Sequence, residues 1–221
     1  IGEAIDEALP IAEKAVEAGA DILFLPEYCS GLVSEKGMLK PPAAPDEDHP
    51  MVSVFQQFAK RTKVAVSLGS VAVSAASEKI VNRAIMISAD GKVISRYDKI
   101  HLFDVQISAT EVYRESATVI AGNHASIINL DDFKLAHVIC YDLRFPQLFR
   151  DLAQAGAEVI AVPAAFMKKT GEVHWHVLNR ARAIENGCFI VAPCAVGGIP
   201  GGGESYGHSL IVNPWGEVLA D

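Results

Sequence analysis

No stretch of this chain supplies the roughly 18 to 20 consecutive apolar residues that a helix needs to cross a bilayer, and no charged-then-apolar leader opens it. The expectation is a soluble, cytoplasmic protein with no membrane partner. Basic charge is short as well: 19 Lys and Arg stand against 27 Asp and Glu, a formal net charge of −8. An acidic surface repels polyanions, so nucleic acid is excluded as a partner. Cysteine is sparse, and Cys29, Cys140, Cys188 and Cys194 include no close-spaced pair. That excludes ribbon-type zinc sites and Cys-x-x-Cys redox motifs, and 221 residues need no disulfides. His-Glu-x-x-His is absent, and His174 and His176 stand two apart, which is not a one-face helical spacing. The glycines at 197, 198, 201, 202 and 203 are followed by no Gly-Lys-Ser/Thr, so they read as a flexible loop rather than a phosphate cradle. Neither a metal nor a cofactor is expected.

What is present is apolar bulk: half the residues are hydrophobic, enough for a substantial core, and nothing reads as a linker, so residues 1–221 are expected to form one domain. Ala4, Ala8, Ile11, Ala12, Ala15 and Val16 form a helical stripe stopped by Gly19, and Ile22 to Leu25 reads as a buried strand. A second helix is expected from about Val52 to Thr62, then strands over Val64 to Val73, Arg83 to Ser88 and Val93 to Tyr97, the last two joined by a turn at Asp90-Gly91. Further on, the pattern predicts a helix from Pro146 to Ala155, a strand from Glu158 to Val162, and a long helix from about His174 to Asn186 with Val177, Ala181 and Ile184 on one face. Strands over Phe189 to Val196 and Ser209 to Val212 complete the set, and Lys40 to Pro50, lacking periodicity, reads as a surface loop or lid.

Three predicted strands end in chemically awkward residues. Leu135 to Ile139 leads into Cys140, Ile22 to Pro26 delivers Glu27, and Val93 to Asp98 delivers Lys99. A nucleophile belongs at the C-terminal end of a strand, where loops gather round a crevice. A carboxylate or an ammonium that follows an apolar run needs a partner, because an unpaired buried charge is strongly unfavourable. Read singly, each has an ordinary alternative: a small buried thiol, a loop-surface acid, a strand-end lysine.

Together, the segments Leu25-Pro26-Glu27-Tyr28, Tyr97-Asp98-Lys99-Ile100-His101-Leu102-Phe103-Asp104 and Ile139-Cys140-Tyr141-Asp142-Leu143-Arg144-Phe145-Pro146 resemble the nitrilase superfamily of carbon-nitrogen hydrolases. The likeness is to its small-amidase branch, which contains omega-amidase and deaminated glutathione amidase. It continues through Gly171 to Trp175, Arg180 to Asn186, Tyr206 to Ser209 and Asn213 to Val218, in the family's order. The resemblance implies an α/β fold, an α-β-β-α sandwich of two mixed sheets with helices on the outer faces. It implies Cys140 as nucleophile, Glu27 as general base and acid, and Lys99 facing an oxyanion together with the backbone N–H of Tyr141. Glu115, directly before a serine, matches a second family glutamate better than Glu111 does, although spacing alone also fits two solvated loop acids. The implied reaction is hydrolysis of a small carboxylate-bearing amide through a thioester, without a cofactor.

Asp142 and Arg144 are expected to brace the nucleophile turn, and Tyr28, Phe103, Phe166, His174 and Trp175 are candidates to line the pocket, although large apolar residues are more often core. By resemblance, the glycine loop and Lys40 to Pro50 lie near the active-site mouth, and the protein is a homodimer of stacked sandwiches. Two departures stand out. His176 occupies the place of a glutamate in the family's His-Trp-Glu pattern, and the chain opens inside a helix and stops at Asp221, so the first strand and the C-terminal tail of the pattern are expected to be missing from this sequence. The same residues would also serve hydrolysis of an N-carbamoyl compound, a non-catalytic binding member of the family is the rival of another class, and Cys29, two residues after Glu27, leaves a redox role open.

Overall fold

The computed structural model describes every residue except 36, 37, 77, 110 and 111. Helices α1 (Gly2–Glu17) and α2 (Pro50–Thr62) cover one sheet; α3 (Pro146–Gln154) and α4 (Lys168–Asn186) cover the other. The first sheet is built on the long antiparallel pair Ala65–Ser74 and Ile80–Ile87. Ile22–Phe24 and Ala43–Ala44 join the outer edge of the former in parallel, and Val93–Asp98 and Val119–Ile120 join the latter. The second sheet runs Ile127–Asn129, Lys134–His137, Val159–Ala161, Phe189–Ala192, Leu210–Val212, Val218–Ala220, with its central pairs parallel. Parallel neighbours need crossover helices, which is why α3 and α4 lie against this sheet's outer face.

The two sheets pack face to face through a small apolar layer in which Ile22, Phe24 and Ala65 meet Leu135 and Ala161. The order is therefore helices, sheet, sheet, helices, the sandwich that the resemblance implies. One polar contact crosses the same interface: Ser67 Oγ lies 2.8 Å from His137 Nε2, both buried. Burial without a charged partner pushes His137 down to about 4.

Local chemistry explains several boundaries. Gly19, with φ of 91°, follows the end of α1, and Gly91, with φ of 78°, turns the chain between the two hairpin strands as expected. Other expectations needed correction. Ile11 of the first stripe is exposed, while Ala12 is buried. α4 starts at Lys168 rather than His174, and the face that carries Val177 and Ile184 is exposed, while Gly171, Trp175, Asn179, Arg182 and Ala183 are buried. The polar members of that inner face are satisfied locally, Asn179 Nδ2 donating to Trp175 O at 2.9 Å and Arg182 Nε to Leu143 O at 3.0 Å. The region expected to be the single strand Phe189 to Val196 divides into Phe189–Ala192 and Val196–Gly198, the latter pairing with Glu204–Tyr206 as a hairpin around the glycine loop.

The strand Ala65–Ser74 is bulged between Leu68 and Val71. At Gly69 a Cβ would lie 1.8 Å from Leu25 O and 2.5 Å from Pro26 O, so the segment leading to Glu27 crosses this strand in direct backbone contact. Ser70 completes the junction: its N–H donates to Pro26 O at 3.3 Å and its Oγ accepts from Tyr28 N at 2.9 Å.

Candidate active site

Three strand ends meet at one cavity. Glu27 lies in the turn after Ile22–Phe24, Lys99 directly follows Val93–Asp98, and Cys140 opens a short 3-10 turn, Cys140–Arg144, just beyond Lys134–His137. All three line a cavity of about 290 Å³ together with Glu115, near the lower end of the range for small-molecule sites. Cys140 and Tyr28 both hold a left-handed backbone, with φ of 47° and 51°. Such a conformation is unfavourable for a residue with a Cβ, so the surrounding bonds must enforce it. At Cys140 the N–H donates to Pro163 O at 2.9 Å, and Asp142 ties the turn to its surroundings. The Asp142 carboxylate accepts from Tyr97 Oη at 2.7 Å, from His101 N at 2.9 Å and from Ile139 N at 2.8 Å, while His101 Nδ1 lies 2.7 Å away.

Lys99 Nζ is buried between two carboxylates, donating to Glu27 Oε1 at 3.0 Å and to Glu115 Oε1 at 3.1 Å. Glu27 is further held by Asn82 Nδ2, which donates to Oε1 at 2.9 Å, and by Ala165 N, which donates to Oε2 at 2.8 Å. Glu115 also accepts from Phe103 N at 2.6 Å. The cluster thus pairs one cation with two anions out of water. Burial alone would lower the Lys99 ammonium's pKa, but Glu115 and Glu27 override it and hold the pKa well above the usual lysine value. Burial pushes the Cys140 thiol well up, and the adjacent Glu27 carboxylate pushes the same way against Lys99. The Cys140 thiol is therefore held in its neutral form, with the Glu27 carboxylate beside it.

The pocket candidates divide. Phe103, Tyr141 and Phe166 line the cavity, with the Phe103 and Tyr141 rings edge to face at 5.1 Å. Tyr28 is buried beside the charged cluster but is not on the cavity wall, and its hydroxyl has no hydrogen-bond partner among the described residues. Trp175 is fully buried core, packed on Phe166 at 5.0 Å. His174 is exposed and touches the guanidinium of Arg144 instead, at 3.2 Å. Arg144 does not share the bracing done by Asp142: it lines the cavity, 5.4 Å from the Phe166 ring centroid. Glu111 lies outside the described residues. Residues 201–204 of the glycine loop line the cavity as expected, whereas no residue of 40–50 does; Leu32, Ser34 and Leu39 take that part of the wall. Cys29 packs into the core under α1 and α2, and burial pushes its thiol up to about 12.

Sequence reading missed Asn82 and Arg114. Asn82 is a buried amide within a largely apolar strand, next to Arg83, and that polar interruption was the available signal. Arg114 lines the cavity from the strand just before Glu115.

Comparison with known proteins places this geometry. The carbon-nitrogen hydrolase family matches residues 2–221. The chain is 40% identical over 223 aligned residues to a deaminated glutathione amidase of Synechocystis sp., covering 99% of this chain and 81% of that protein. Its fold superposes on Saccharomyces cerevisiae Nit3, a member of branch 10 of the nitrilase superfamily, with a TM-score of 0.84 at 27% identity, over 98% of this chain and 78% of Nit3. It also superposes on a variant of the amidase from Nesterenkonia sp. AN1, with a TM-score of 0.81 at 25% identity, over 99% of this chain and 79% of that one. That structure shows covalent addition of the acetamide moiety of fluoroacetamide at the active site cysteine. By sequence match along almost its whole length and by shared architecture, this chain belongs to the carbon-nitrogen hydrolase family, as an enzyme of the nitrilase fold.

Proposed function

We propose that the chain is an amidase that releases ammonia from a small carboxylate-bearing amide, with Cys140 as nucleophile, Glu27 as proton shuttle, Lys99 as electrophile and Glu115 as the residue that positions Lys99. The observation that carries this reading is the convergence of Glu27, Lys99 and Cys140 on one cavity, supported by the name of the Synechocystis relative. The Cys140 sulfur attacks the amide carbon as its proton passes to Glu27, forming a C–S bond. Lys99 Nζ and the Tyr141 N–H stabilise the tetrahedral oxyanion; losing one such donor costs on the order of 100- to 1000-fold in turnover. The C–N bond then breaks as Glu27 gives its proton to the departing ammonia. Water, deprotonated by the same carboxylate, attacks the thioester; the acid leaves and the proton returns to sulfur. The kinetics are ping-pong.

The carboxylate specificity draws on Arg144 and Arg114 in the cavity wall. Arg144 has no carboxylate partner among the described residues, so its fork is available to a bidentate anion. Residues 1–221 act as one catalytic domain in this reading. The exposed apolar face of α4, Val173, Val177 and Ile184, together with Trp215, covers the same face of a second copy in a homodimer. A reducing, cytoplasmic setting suits a free catalytic thiol.

The test is intact-mass trapping with a slow amide. An acyl adduct on Cys140 and ammonia release abolished by Cys140→Ala support the mechanism. Ammonia release that persists in Cys140→Ala overturns it, and carbon dioxide released with the ammonia reassigns the substrate to an N-carbamoyl compound.

A further inference from the structure

One cluster of side chains outside the cavity has no part in this chemistry. His176 of α4, His208 in the turn after Glu204–Tyr206, and Asp221 just past Val218–Ala220 each bring a ligand-capable atom to within 4.8 Å of the others. Asp221 sits between the two imidazoles, Oδ2 lying 3.1 Å from His176 Nε2 and Oδ1 lying 2.8 Å from His208 Nδ1. The two rings meet edge to face, 5.2 Å apart between centroids and inclined by 68°.

We propose that His176, His208 and Asp221 form a surface site for a first-row divalent transition-metal ion, with zinc the ion that the donor set suits best. Two imidazole nitrogens and one carboxylate oxygen are ligands of borderline softness that favour zinc and its neighbours over magnesium or calcium, which demand oxygen. The substitution that makes the set is His176 itself: a glutamate there, as in the pattern that this segment resembles, would leave one nitrogen and two carboxylates. With zinc-to-ligand distances of about 2.0 to 2.2 Å, tetrahedral ligand atoms lie about 3.4 Å apart. The Asp221 carboxylate bridges the two rings through different oxygens, and binding an ion requires the three ligand atoms, which lie within 4.8 Å of one another on partly exposed side chains, to draw in to that spacing.

His208 is also held in place from behind. Its backbone has the left-handed φ of 56°, its carbonyl accepts from Trp175 Nε1 at 2.7 Å, and its ring stacks on Tyr206 at 4.6 Å. Ligands fixed by such outer contacts need less reorganisation on binding. Ordinary hydrogen bonding would hold the same three residues together through ring N–H protons; a metal ion replaces those protons. An ion here would tie α4 to the last strand of the second sheet and to the hairpin whose glycine loop forms part of the cavity wall. The site does not depend on the amidase reading.

The experiment is calorimetric titration of untagged protein with zinc chloride, on a Cys140→Ala background so that the cavity thiol cannot compete. One equivalent is expected to bind, and His176→Ala and Asp221→Asn are each expected to weaken binding by roughly tenfold or more. Cobalt(II) in place of zinc gives a second readout that needs no variant: a visible ligand-field spectrum without sulfur charge-transfer bands is expected. Absence of binding, zinc affinity unaltered in both variants, or a sulfur charge-transfer band each overturns the proposal.

Discussion

Asn82 Nδ2 donates a 2.9 Å hydrogen bond to the same oxygen of Glu27 that pairs with Lys99, and Asn82 is completely buried. The proposed base is therefore aimed by a neutral amide as well as by a cation. Asn82→Ala removes a hydrogen bond to a charged group, which is worth about 1.5 to 3 kcal/mol. Turnover is expected to fall by about 10- to 100-fold with little change in KM. Steady-state ammonia release measures it; a pure KM effect would show that Asn82 holds substrate rather than Glu27.

Lys99 pairs with two buried carboxylates at once. Lys99→Met leaves Glu27 and Glu115 facing each other without a cation, and breaking a buried pair this way costs about 3 to 5 kcal/mol of stability. The double variant Lys99→Met/Glu115→Gln is expected to regain part of that loss in thermal unfolding while remaining inactive. Equal stability of the single and double variants would refute the coupling.

His137 gives a pH dependence of stability with a definite sign. Its native-state pKa lies at about 4, below the ordinary histidine value of 6.5. Between those values the unfolded chain binds a proton that the native state does not, so stability falls as the pH drops through that window. The loss is on the order of 3 kcal/mol. Urea unfolding at pH 7 and pH 4.5 measures it, and His137→Gln is expected to flatten the difference.

Arg144 is the residue whose loss should separate substrate classes. Arg144→Met is expected to raise KM for a carboxylate-bearing amide by about 10- to 100-fold. KM for a neutral amide of the same length should hardly change. Equal effects on both would remove Arg144 from carboxylate recognition.

The outward face of α4 predicts an oligomeric state. Val177→Glu places a charge amid the exposed apolar patch and is expected to convert a homodimer to a monomer, read by light scattering during size exclusion. A wild-type protein that is monomeric at micromolar concentration overturns that assembly.

Much of the site was legible because the chemistry sits in short local signatures: Cys140, Glu27 and Lys99 each follow a strand, and the strands converge. Periodicity located α1 and α2 well, and apart from Ile11 the apolar stripe of α1 packs into the core beneath it. It says less for α4, whose apolar face of Val177 and Ile184 is exposed, while the inner face is built from Trp175 and from Asn179 and Arg182 bonded to backbone carbonyls. Periodicity reports where apolar residues recur, not whether the surface that they cover belongs to the same chain. Asn82 and the His176, His208 and Asp221 cluster were hidden for another reason: their partners lie far along the chain, and pairing across such distances exists only once the sheets have formed.

The seat of Glu27 in the cavity wall also depends on an atom that is not there. Position 69 carries only a hydrogen where the Leu25 and Pro26 carbonyls press against the neighbouring strand. A single methyl group added at that point forces the Leu25 and Pro26 backbone to give way, so the placement of the Glu27 carboxylate is set in part by a residue that has no functional group at all.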